Sequence, residues 1–311
     1  MISSIAAWPR AAYRLISKHG RFLNMVDVVV IGGANIDIKA KSNSRNTLGT
    51  SNPGVMSFTP GGVGRNISHN LAILGTSVAL ISIVGDDAFG QIILDATARA
   101  GVDVSSVGHA ALPTGAYVAT LDGDGELVTA INDMRAIEAL TPEYLEAHFS
   151  VLDRARLVVA DCNLPLATLK VIAARVSDRL VIETVSVPKC RKLLDVLASY
   201  PMLLSLPNFD QIEHLAGTRD IAAAFAFLHG KGLANAVLHA GAEGAFVSDG
   251  QVIRHVPAMP PGNIVDVTGA GDAAVAGLLY GLLQGKSLVE AAVIGQAKAG
   301  QVIASSNSTL E

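Results

Sequence analysis

Residues 266–277 read Asp-Val-Thr-Gly-Ala-Gly-Asp-Ala-Ala-Val-Ala-Gly, and the rest of the chain is interpreted around this stretch. It follows a proline-rich loop and opens a helix of small residues that is predicted to run to about Leu283. Glycines at a helix start let the backbone turn sharply and expose several N–H groups at the positive end of the helix dipole. The stretch therefore predicts an anion-binding nest at the start of a helix.

This nest has the features of a phosphoryl-transfer centre. The N–H groups of Gly269, Ala270 and Gly271 suit the charge that develops on a transferring phosphoryl group. Asp272 lies within the nest, where it can accept a proton from an attacking hydroxyl as a general base. Taken alone, the stretch has an alternative interpretation as an ordinary glycine-rich helix start with an N-capping aspartate.

Spacing excludes two other glycine motifs. A dinucleotide fingerprint needs G-x-G-x-x-G, but the next glycine after Gly269 and Gly271 is Gly277. A Walker loop needs G-x-x-x-x-G-K-[ST], and the chain contains no such string. The phosphate donor is therefore predicted to be held differently from the donor of a P-loop enzyme.

Composition limits the class of protein. The 311 residues are 50% hydrophobic and 16% charged, which suits one large α/β domain with a small subdomain. The net charge of −4 provides no footprint for nucleic acid or anionic membranes, and no apolar run reaches the roughly 20 residues of a spanning helix. Cys162 and Cys190 are expected to be buried thiols in a reducing compartment. The protein is therefore predicted to be cytoplasmic, without a nucleic-acid or membrane partner.

Residues 1–24 differ from the rest because they carry basic side chains and no acidic one. A mitochondrial-type leader is one interpretation, whereas the apolar stretch is too short for a secretory signal. The preferred interpretation is a disordered extension, with a single folded domain over residues 25–311.

Short β-branched runs alternate with helical patterns after Met25. The run at 26–31 is typical of a strand buried on both faces. Further strands are predicted at 78–84, 157–160, 180–183, 202–204, 236–239 and 245–247. Helices are predicted at 67–74, 89–100, 142–149, 166–175, 188–197, 210–215 and 221–229. This alternation implies a mostly parallel sheet with helices on both faces.

Polar residues near the first strand are candidate ligands for a sugar. Asn35 and Asp37 follow the strand at 26–31, and ligands of open α/β sheets gather beyond the carboxyl ends of the strands. A carboxylate beside an amide suits vicinal hydroxyls, with an Asx turn as the alternative interpretation. Gly61 and Gly62 allow close approach to the backbone, and Asn66 in the following helical turn can contact a sugar hydroxyl.

A small β lid is predicted from polar, alternating segments at about 38–60 and 113–132. The string Asp122-Gly123-Asp124-Gly125 would be the turn of a hairpin within it. Such a lid can close over a substrate and exclude water, and loops alone are the alternative.

Two motifs together resemble those of the ribokinase-like, phosphofructokinase-B carbohydrate kinases. They are G-G-x-G-x-N…L-G over Gly61–Gly75 and D-x-T-G-A-G-D over Asp266–Asp272. The resemblance runs from about Met25 to about Ser305 and implies a three-layer α/β sandwich with a small β-sheet lid. Segments 33–37, 51–54, 58–67, 130–134 and 159–163 are similar to the branch that phosphorylates pseudouridine. A ribokinase would be expected to have lysine where Val63 stands.

The resemblance implies roles for individual residues. Asp272 would deprotonate the 5′-hydroxyl of a nucleoside, while the amides of residues 270–272 hold the phosphate. The residues implied to bind or border the nucleoside are Asn35, Asp37, Gly61, Gly62, Asn66, Asn132 and Asn163. Those implied to border Mg-ATP are Asn208, His239, Gly241 and Gly244. Asp266 and Thr268 would lie at a monovalent cation such as potassium, and homodimers formed through the lid are common in the family.

Some residues on the donor side depart from the family pattern. Leu206 stands where lysine is usual, and Gln211 replaces a glutamate that helps organise magnesium-bound water. His239 replaces threonine or serine, and Glu183 replaces the commoner aspartate. The alternatives that remain are a kinase for another nucleoside or a sugar such as ribose, and a catalytically weak nucleoside-binding relative.

Overall fold

The computed structural model of the protein describes residues 25–259 and 262–311. The predicted extension at 1–24 therefore lies outside the described residues. Nine strands form the large sheet. In spatial order they are β13 (Ile253–Val256), β12 (Ala245–Ser248), β11 (Leu233–His239), β10 (Met202–Ser205), β9 (Leu180–Glu183), β8 (Ala155–Asp161), β1 (Val26–Ile31), β4 (Val78–Gly85) and β5 (Asp103–Ala110). All neighbours are parallel except the pairs β11–β12 and β12–β13.

Helices cover both faces of this sheet. They are α1 (Val63–Ile73), α2 (Ala88–Arg99), α3 (Pro142–Glu146), α4 (Phe149–Asp153), α5 (Leu166–Val176), α6 (Val187–Leu197), α7 (Phe209–Ala216), α8 (Ile221–Gly230), α9 (Ala270–Leu283) and α10 (Leu288–Ile303). Short 3₁₀ helices lie at Arg135–Ala139, Ser177–Arg179 and Gly241–Glu243. Val28 and Val30 of β1 pack in the apolar cluster of α1, α9 and α10. Val29 and Ile31 pack in the cluster of α5 to α8 on the opposite face. The sheet is thus the middle of three layers, as predicted.

Four strands form a second, smaller sheet. In spatial order they are β3 (Gly54–Gly61), β2 (Asn35–Ser42), β6 (Ala116–Leu121) and β7 (Leu127–Asp133). Ile36 and Ile38 on one face of β2 pack against α2, where they join a small cluster around Ile93. Asp37 and Lys39 alternate with them and lie on the opposite face. The prediction of a small second sheet is confirmed.

The structure corrects several predicted elements. The helix predicted at 142–149 is two short helices, α3 and α4, because the chain turns at residues 147–148. Asn35 begins a strand and is not part of a turn after β1. The elements β5, β13 and α10 are absent from the prediction. Within residues 25–259 and 262–311, no helix is both long enough and apolar enough to cross a membrane.

Candidate active site

A buried carboxylate lies between β1 and β8 of the large sheet. On one side of this point the chain adds β4 and β5, and on the other side it adds β9 to β13. Asp161 ends β8 and is 0% exposed. It accepts hydrogen bonds from the backbone N–H groups of Gly33 (2.8 Å), Gly64 (3.1 Å) and Asn163 (2.9 Å). A Cβ on Gly32 would lie 2.2 Å from its Oδ2, so only glycine fits there. Asp161 therefore joins the loop after β1, the start of α1 and the loop after β8.

The predicted sugar ligands of the first strands lie beside this junction. The amide of Asn35 donates to Asp37 Oδ1 at 2.7 Å, and burial raises the pKa of Asp37. A Cβ on Gly61 would meet Asp37 Oδ2 at 2.2 Å. Gly62 has a φ of 97° and packs directly on the Gly33 backbone, a conformation that disfavours any other residue. These contacts place the Asp37 carboxylate beside the loop after β1 and the residues that precede α1.

Asn132 approaches the same region from the small sheet. The register pairs Asp37 with Tyr117 on β6 and Tyr117 with Asn132 on β7. Residues in one row share a face, so Asn132 lies on the face of Asp37 at about two strand spacings, or about 10 Å. Tyr117, 36% exposed, stands between them and was not among the predicted site residues.

Asn163 borders the junction on the other side. A Cβ on Gly33 would lie 3.0 Å from the Asn163 amide nitrogen. The amide oxygen of Asn163 accepts a hydrogen bond from Lys189 Nζ at 2.5 Å. Because a lysine ammonium only donates, this contact fixes the orientation of the amide. The NH₂ group of Asn163 then remains as a donor near the loop after β1.

The predicted phosphoryl-transfer stretch forms the start of α9. Gly269 is the N-cap with a φ of 79°, and a Cβ there would lie 1.9 Å from the Ser308 carbonyl oxygen. The backbone N–H of Ala270 is bonded to the Val267 carbonyl at 3.3 Å. Those of Gly271 and Asp272 have no acceptor within the described residues, as expected for the first turn of a helix. This start can therefore receive an anion.

Asp272 connects that helix start with the acceptor side. Its Oδ2 accepts a hydrogen bond from the Asn66 amide at 2.8 Å. Burial, together with the charges of Asp161 and Asp37, raises the pKa of Asp272 to about 7, against the opposing effects of the Asn66 hydrogen bond and the Arg65 charge. A carboxylate whose pKa lies near neutrality can take up and release a proton at physiological pH.

A cavity of about 170 Å³ lies in front of Asp272 and Gly271. Glu183 also lines it, and burial raises the pKa of Glu183 to about 8. Its Oε1 accepts from the N–H of Val185, whose φ of 64° is unusual for a β-branched residue. His239 lines the cavity too, and its Nε2 is buried without a hydrogen-bond partner in the described part of the chain. Because burial lowers the pKa of His239 to about 4, this imidazole is neutral at pH 7.

A larger, mostly apolar cavity of about 450 Å³ adjoins the first. Its lining residues include His239, Gly241, Gly244, Ile264, Val267, Ala270, Gly271, Ala274 and Ile303. The two cavities share His239 and Gly271, so they meet at the start of α9. An apolar cavity with a few polar groups at one end suits a flat base whose charged group points to the helix start.

Gln211 and Asn208 have structural partners of their own. Asn208 is the N-cap of α7, and its side chain accepts from the Gln211 N–H at 3.0 Å. The Gln211 amide oxygen accepts in return from the Asn208 N–H (2.8 Å) and from Thr184 Oγ1 (2.7 Å). This capping box occupies the side-chain oxygen of Gln211, the residue at the position where the resemblance implies a glutamate near magnesium-bound water. Glu183 and Asp272 are the carboxylates of the same cavity, and they fit a magnesium-bound water better.

The predicted monovalent-cation residues are also bonded to protein groups. Asp266 Oδ2 lies 2.6 Å from Lys39 Nζ on the small sheet. Asp266 Oδ1 accepts from the Thr268 N–H at 2.8 Å and from its hydroxyl at 2.6 Å. Both carboxylate oxygens therefore have donors, and an ammonium already neutralises the charge that a potassium ion would face.

Most of the predicted residues thus converge on one cleft between the two sheets. Three further residues of this cleft escaped prediction: Asp161, Arg65 and Lys39. Asp161 stands in the string Asp-Cys-Asn at a strand end, a signal that strand-end reasoning could have used. Arg65 and Lys39 carry no such signal, because their roles depend on contacts with distant segments.

Comparison with known proteins agrees with this geometry. Residues 25–311 match the pfkB family of carbohydrate kinases. The chain is 39% identical over 278 residues to a pseudouridine kinase of Escherichia coli, which covers 86% of this chain and 88% of that protein. A carbohydrate kinase of Agrobacterium tumefaciens superposes with a TM-score of 0.80 at 31% identity, covering 92% and 93% of the two chains. A ribokinase of Arabidopsis thaliana, solved with ribose and ATP, gives a TM-score of 0.84 at 22% identity, covering 93% and 96%.

The three layers and the small sheet define the ribokinase-like fold. More particularly, the chain belongs to the pfkB family of carbohydrate kinases. The family expected from the two glycine motifs is therefore confirmed.

Proposed function

We propose that the protein transfers the γ-phosphoryl group of ATP to the 5′-hydroxyl of pseudouridine, giving pseudouridine 5′-phosphate and ADP. One observation carries the proposal. Asp272 lies between the sugar-binding candidates and a helix start where the N–H groups of Gly271 and Asp272 have no acceptor among the described residues. Such a site brings a base, an acceptor hydroxyl and an anion hole together, which is what phosphoryl transfer requires.

The proposed reaction begins with the nucleoside in the cleft between the sheets. Asp37 and the Asn35 amide would bind ribose hydroxyls, while Asn132 and Asn163 lie near the sugar or the base. Asp272 then takes the proton of the 5′-hydroxyl while the oxygen of that hydroxyl forms a bond to the γ-phosphorus. The bond from that phosphorus to the bridging oxygen of ADP breaks, and the N–H groups of Gly271 and Asp272 stabilise the charge on the phosphoryl oxygens, whereas the N–H of Ala270 is already bonded to the Val267 carbonyl.

The donor is proposed to be Mg-ATP. Its base would lie in the larger cavity beside Gly241 and Gly244, with the phosphates passing His239 toward Gly271. The unpartnered Nε2 of neutral His239 can serve a phosphate oxygen as an N–H donor, the role of the hydroxyl it replaces. Magnesium would neutralise phosphate charge, and Glu183 and Asp272 are the carboxylates that can contact its water.

Pseudouridine is proposed as acceptor because the similarity to the Escherichia coli pseudouridine kinase covers most of both chains. Val63 stands at the edge of the small cavity, where a ribokinase would be expected to have lysine. The alternative acceptors remain another nucleoside or ribose. A weak nucleoside-binding relative is the alternative of a different class, since Leu206, Gln211 and His239 depart from the family pattern.

Acceptor preference tests this proposal directly. We expect ADP release with Mg-ATP to be much faster with pseudouridine than with uridine, ribose or no acceptor. Faster turnover of uridine or ribose would keep the kinase and overturn the proposed acceptor. A thermal shift with pseudouridine but no ADP release with any acceptor would instead identify a nucleoside-binding relative.

Potassium binding, a homodimer and a cytoplasmic location are three further predictions that stay predictions. Potassium at Asp266 and Thr268 stays a prediction, and the Lys39 contact argues against it. A homodimer through the small sheet, which would act as a lid, also stays a prediction. Its support is the exposure of apolar side chains on that sheet, among them Val55, Met56, Phe58, Leu127, Val128 and Ile131. A cytoplasmic location is proposed because Cys162 and Cys190 are free, buried thiols.

A further inference from the structure

We infer that Arg65 is a positioning residue that orients the Asn66 amide and so holds the Asp272 carboxylate for proton transfer. The inference rests on the proposed role of Asp272 as the base. Arg65 follows the glycines at the start of α1 and is only 3% exposed. No predicted role falls on this residue, although it stands inside the first glycine motif.

The contacts of the guanidinium define its function. Arg65 Nη1 donates to Asn66 Oδ1 at 3.2 Å, and the Asn66 Nδ2 group donates to Asp272 Oδ2 at 2.8 Å. A guanidinium only donates, so the Asn66 atom that faces it must be the amide oxygen. The NH₂ group is then directed at Asp272. Arg65 therefore fixes the orientation of the Asn66 amide, which could otherwise rotate and exchange the positions of its oxygen and nitrogen.

The remaining contacts hold the guanidinium in place. Its Nε donates to Thr97 Oγ1 at 3.2 Å and its Nη1 to the Pro60 carbonyl at 3.3 Å, while Nη2 lies 3.0 Å from His69 Nδ1. Burial lowers the pKa of His69 to about 4, so a neutral ring can accept that bond. Its other nitrogen lies 3.0 Å from the Leu310 carbonyl oxygen. The guanidinium is thus tied to the small sheet, to α2 and, through His69, to the last residues of the chain.

These partners are all uncharged, so Arg65 is a buried cation without an ion-pair partner in the described part of the chain. Burial lowers its pKa to about 10, which still leaves it protonated at neutral pH. A buried unpaired charge is costly, and a neutral side chain of similar length would avoid that cost. A neutral side chain, however, would not exert the electrostatic effect that the Arg65 charge has on the nearby carboxylates.

Asp272 is surrounded by groups of both signs. The charged and titratable groups that face it from the neighbouring elements are Asp37, Arg65, Asp161, Glu183 and His239. The charges of Asp37 and Asp161 favour the protonated form of Asp272, and Arg65 is the one fixed cation among the five. Loss of Arg65 removes both the opposing charge and the orientation of Asn66. The pKa of Asp272 should then rise, and less of it would be ionised at pH 7.

The pH dependence of kcat tests this inference. A general base must be ionised, so kcat should rise with pH through the pKa of Asp272. In Arg65→Met we expect this acid limb to move upward by about one pH unit and kcat at pH 7 to fall at least tenfold. Arg65→Lys keeps the charge but loses the several N–H donors of the guanidinium. The acid limb of its pH profile should therefore stay in place while kcat falls. Arg99→Met, the same change on the exposed face of α2, should leave both unchanged.

Several outcomes would overturn the inference. One is a folded Arg65→Met protein, by thermal melting, whose acid limb and kcat match those of the wild type. If Arg65→Met does not fold, Arg65→Lys decides: a wild-type kcat overturns the inference, and a lowered kcat at unchanged KM for the nucleoside supports it. An Asp272→Asn protein with full activity would instead overturn the proposed base itself.

A different contact carries a second inference. We propose that the Lys39 ammonium takes the place of the monovalent cation predicted at Asp266. Lys39 Nζ lies 2.6 Å from Asp266 Oδ2, and Thr268 donates twice to Oδ1. A lysine ammonium is itself a monovalent cation, held here by the chain. It neutralises Asp266 at the loop that leads into the anion hole.

This ion pair also joins the small sheet to that loop. Lys39 lies two residues after Asp37 on the same face of β2, so the strand that would bind the sugar also contacts the loop. The backbone N–H groups of Val265 and Asp266 are bonded to the Ile303 carbonyl at the end of α10. The loop is therefore held from two sides, by α10 and by the small sheet.

Salt dependence tests the second inference. At constant ionic strength, the wild-type rate should be the same in potassium, sodium and tetramethylammonium chloride. Lys39→Met should lower kcat on the order of tenfold in tetramethylammonium, and potassium should restore part of the rate. Potassium should also raise the melting temperature of Lys39→Met but not of the wild type. Lys41→Met, two residues further along β2, is the matched control and should behave as the wild type. Strong potassium activation of the wild type, or a Lys39→Met protein with unchanged rate in every salt, would overturn it.

Discussion

Replacing Asp272 by asparagine is expected to lower kcat by about 10²- to 10⁴-fold, the range that general bases contribute. An amide cannot accept the proton of the attacking hydroxyl, although it has nearly the same shape. The Asn66 amide can still donate to the side-chain oxygen of the new residue, so the acceptor side should keep its arrangement. Binding of the nucleoside, measured by calorimetry or thermal shift, should therefore survive the substitution.

A matched control separates this effect from a general change of charge. Asp86→Asn alters an exposed aspartate in the turn before α2 and should leave kcat unchanged. The wild-type acid limb should lie near pH 7, because burial and the neighbouring acids raise the pKa of Asp272 to about 7. Below that pH the base is protonated and the rate falls. An Asp272→Asn protein with wild-type turnover would rule out this residue as the base.

Much of the site was predictable because its backbone requirements leave marks in the sequence. Gly62 and Gly269 have positive φ values, and the backbone packs too closely there for another residue. Asp272 follows directly in such a stretch, so its neighbourhood could be derived from local spacing alone. The central strands β1 and β4 of the large sheet were also recognisable, since both are short, mostly apolar runs.

Other features depend on contacts that no local pattern encodes. Asn66 and Asp272 are 206 residues apart, and Lys39 and Asp266 are 227 apart. Composition could not say which lysine would meet which aspartate. The helix α10 is an exception, because the capping box of Ser287 and Glu290 at its start is a local signal that the prediction overlooked. Strand β5 contains serines, glycine and histidine, and its pairing with β4 stabilises a sequence of low strand propensity.

Replacing Asp161 by alanine or asparagine is expected to have the largest effect on stability. The carboxylate accepts three backbone N–H groups in a fully buried position. Alanine would leave all three without an acceptor, at a cost of about 3 kcal/mol or more in the free energy of unfolding. Asparagine would turn an NH₂ group toward one of these donors, so it should not rescue the fold. Thermal melting should show a decrease on the order of 5–10 °C for both variants.

The control for Asp161 is Asp153→Asn, which breaks an exposed ion pair with Arg175 and should change the melting temperature little. Where enough folded protein remains, the substitution should affect the kinetics of the nucleoside and not those of ATP. Asp161 joins the loop after β1 to the start of α1, and both carry candidate nucleoside ligands. Within the described part of the chain, Asp161 has no hydrogen bond to the residues of the donor cavity. The KM for the nucleoside should therefore rise, while the KM for ATP stays close to that of the wild type. A variant that melts like the wild type, or whose KM changes only for ATP, would contradict the role of Asp161 as the anchor of the acceptor side.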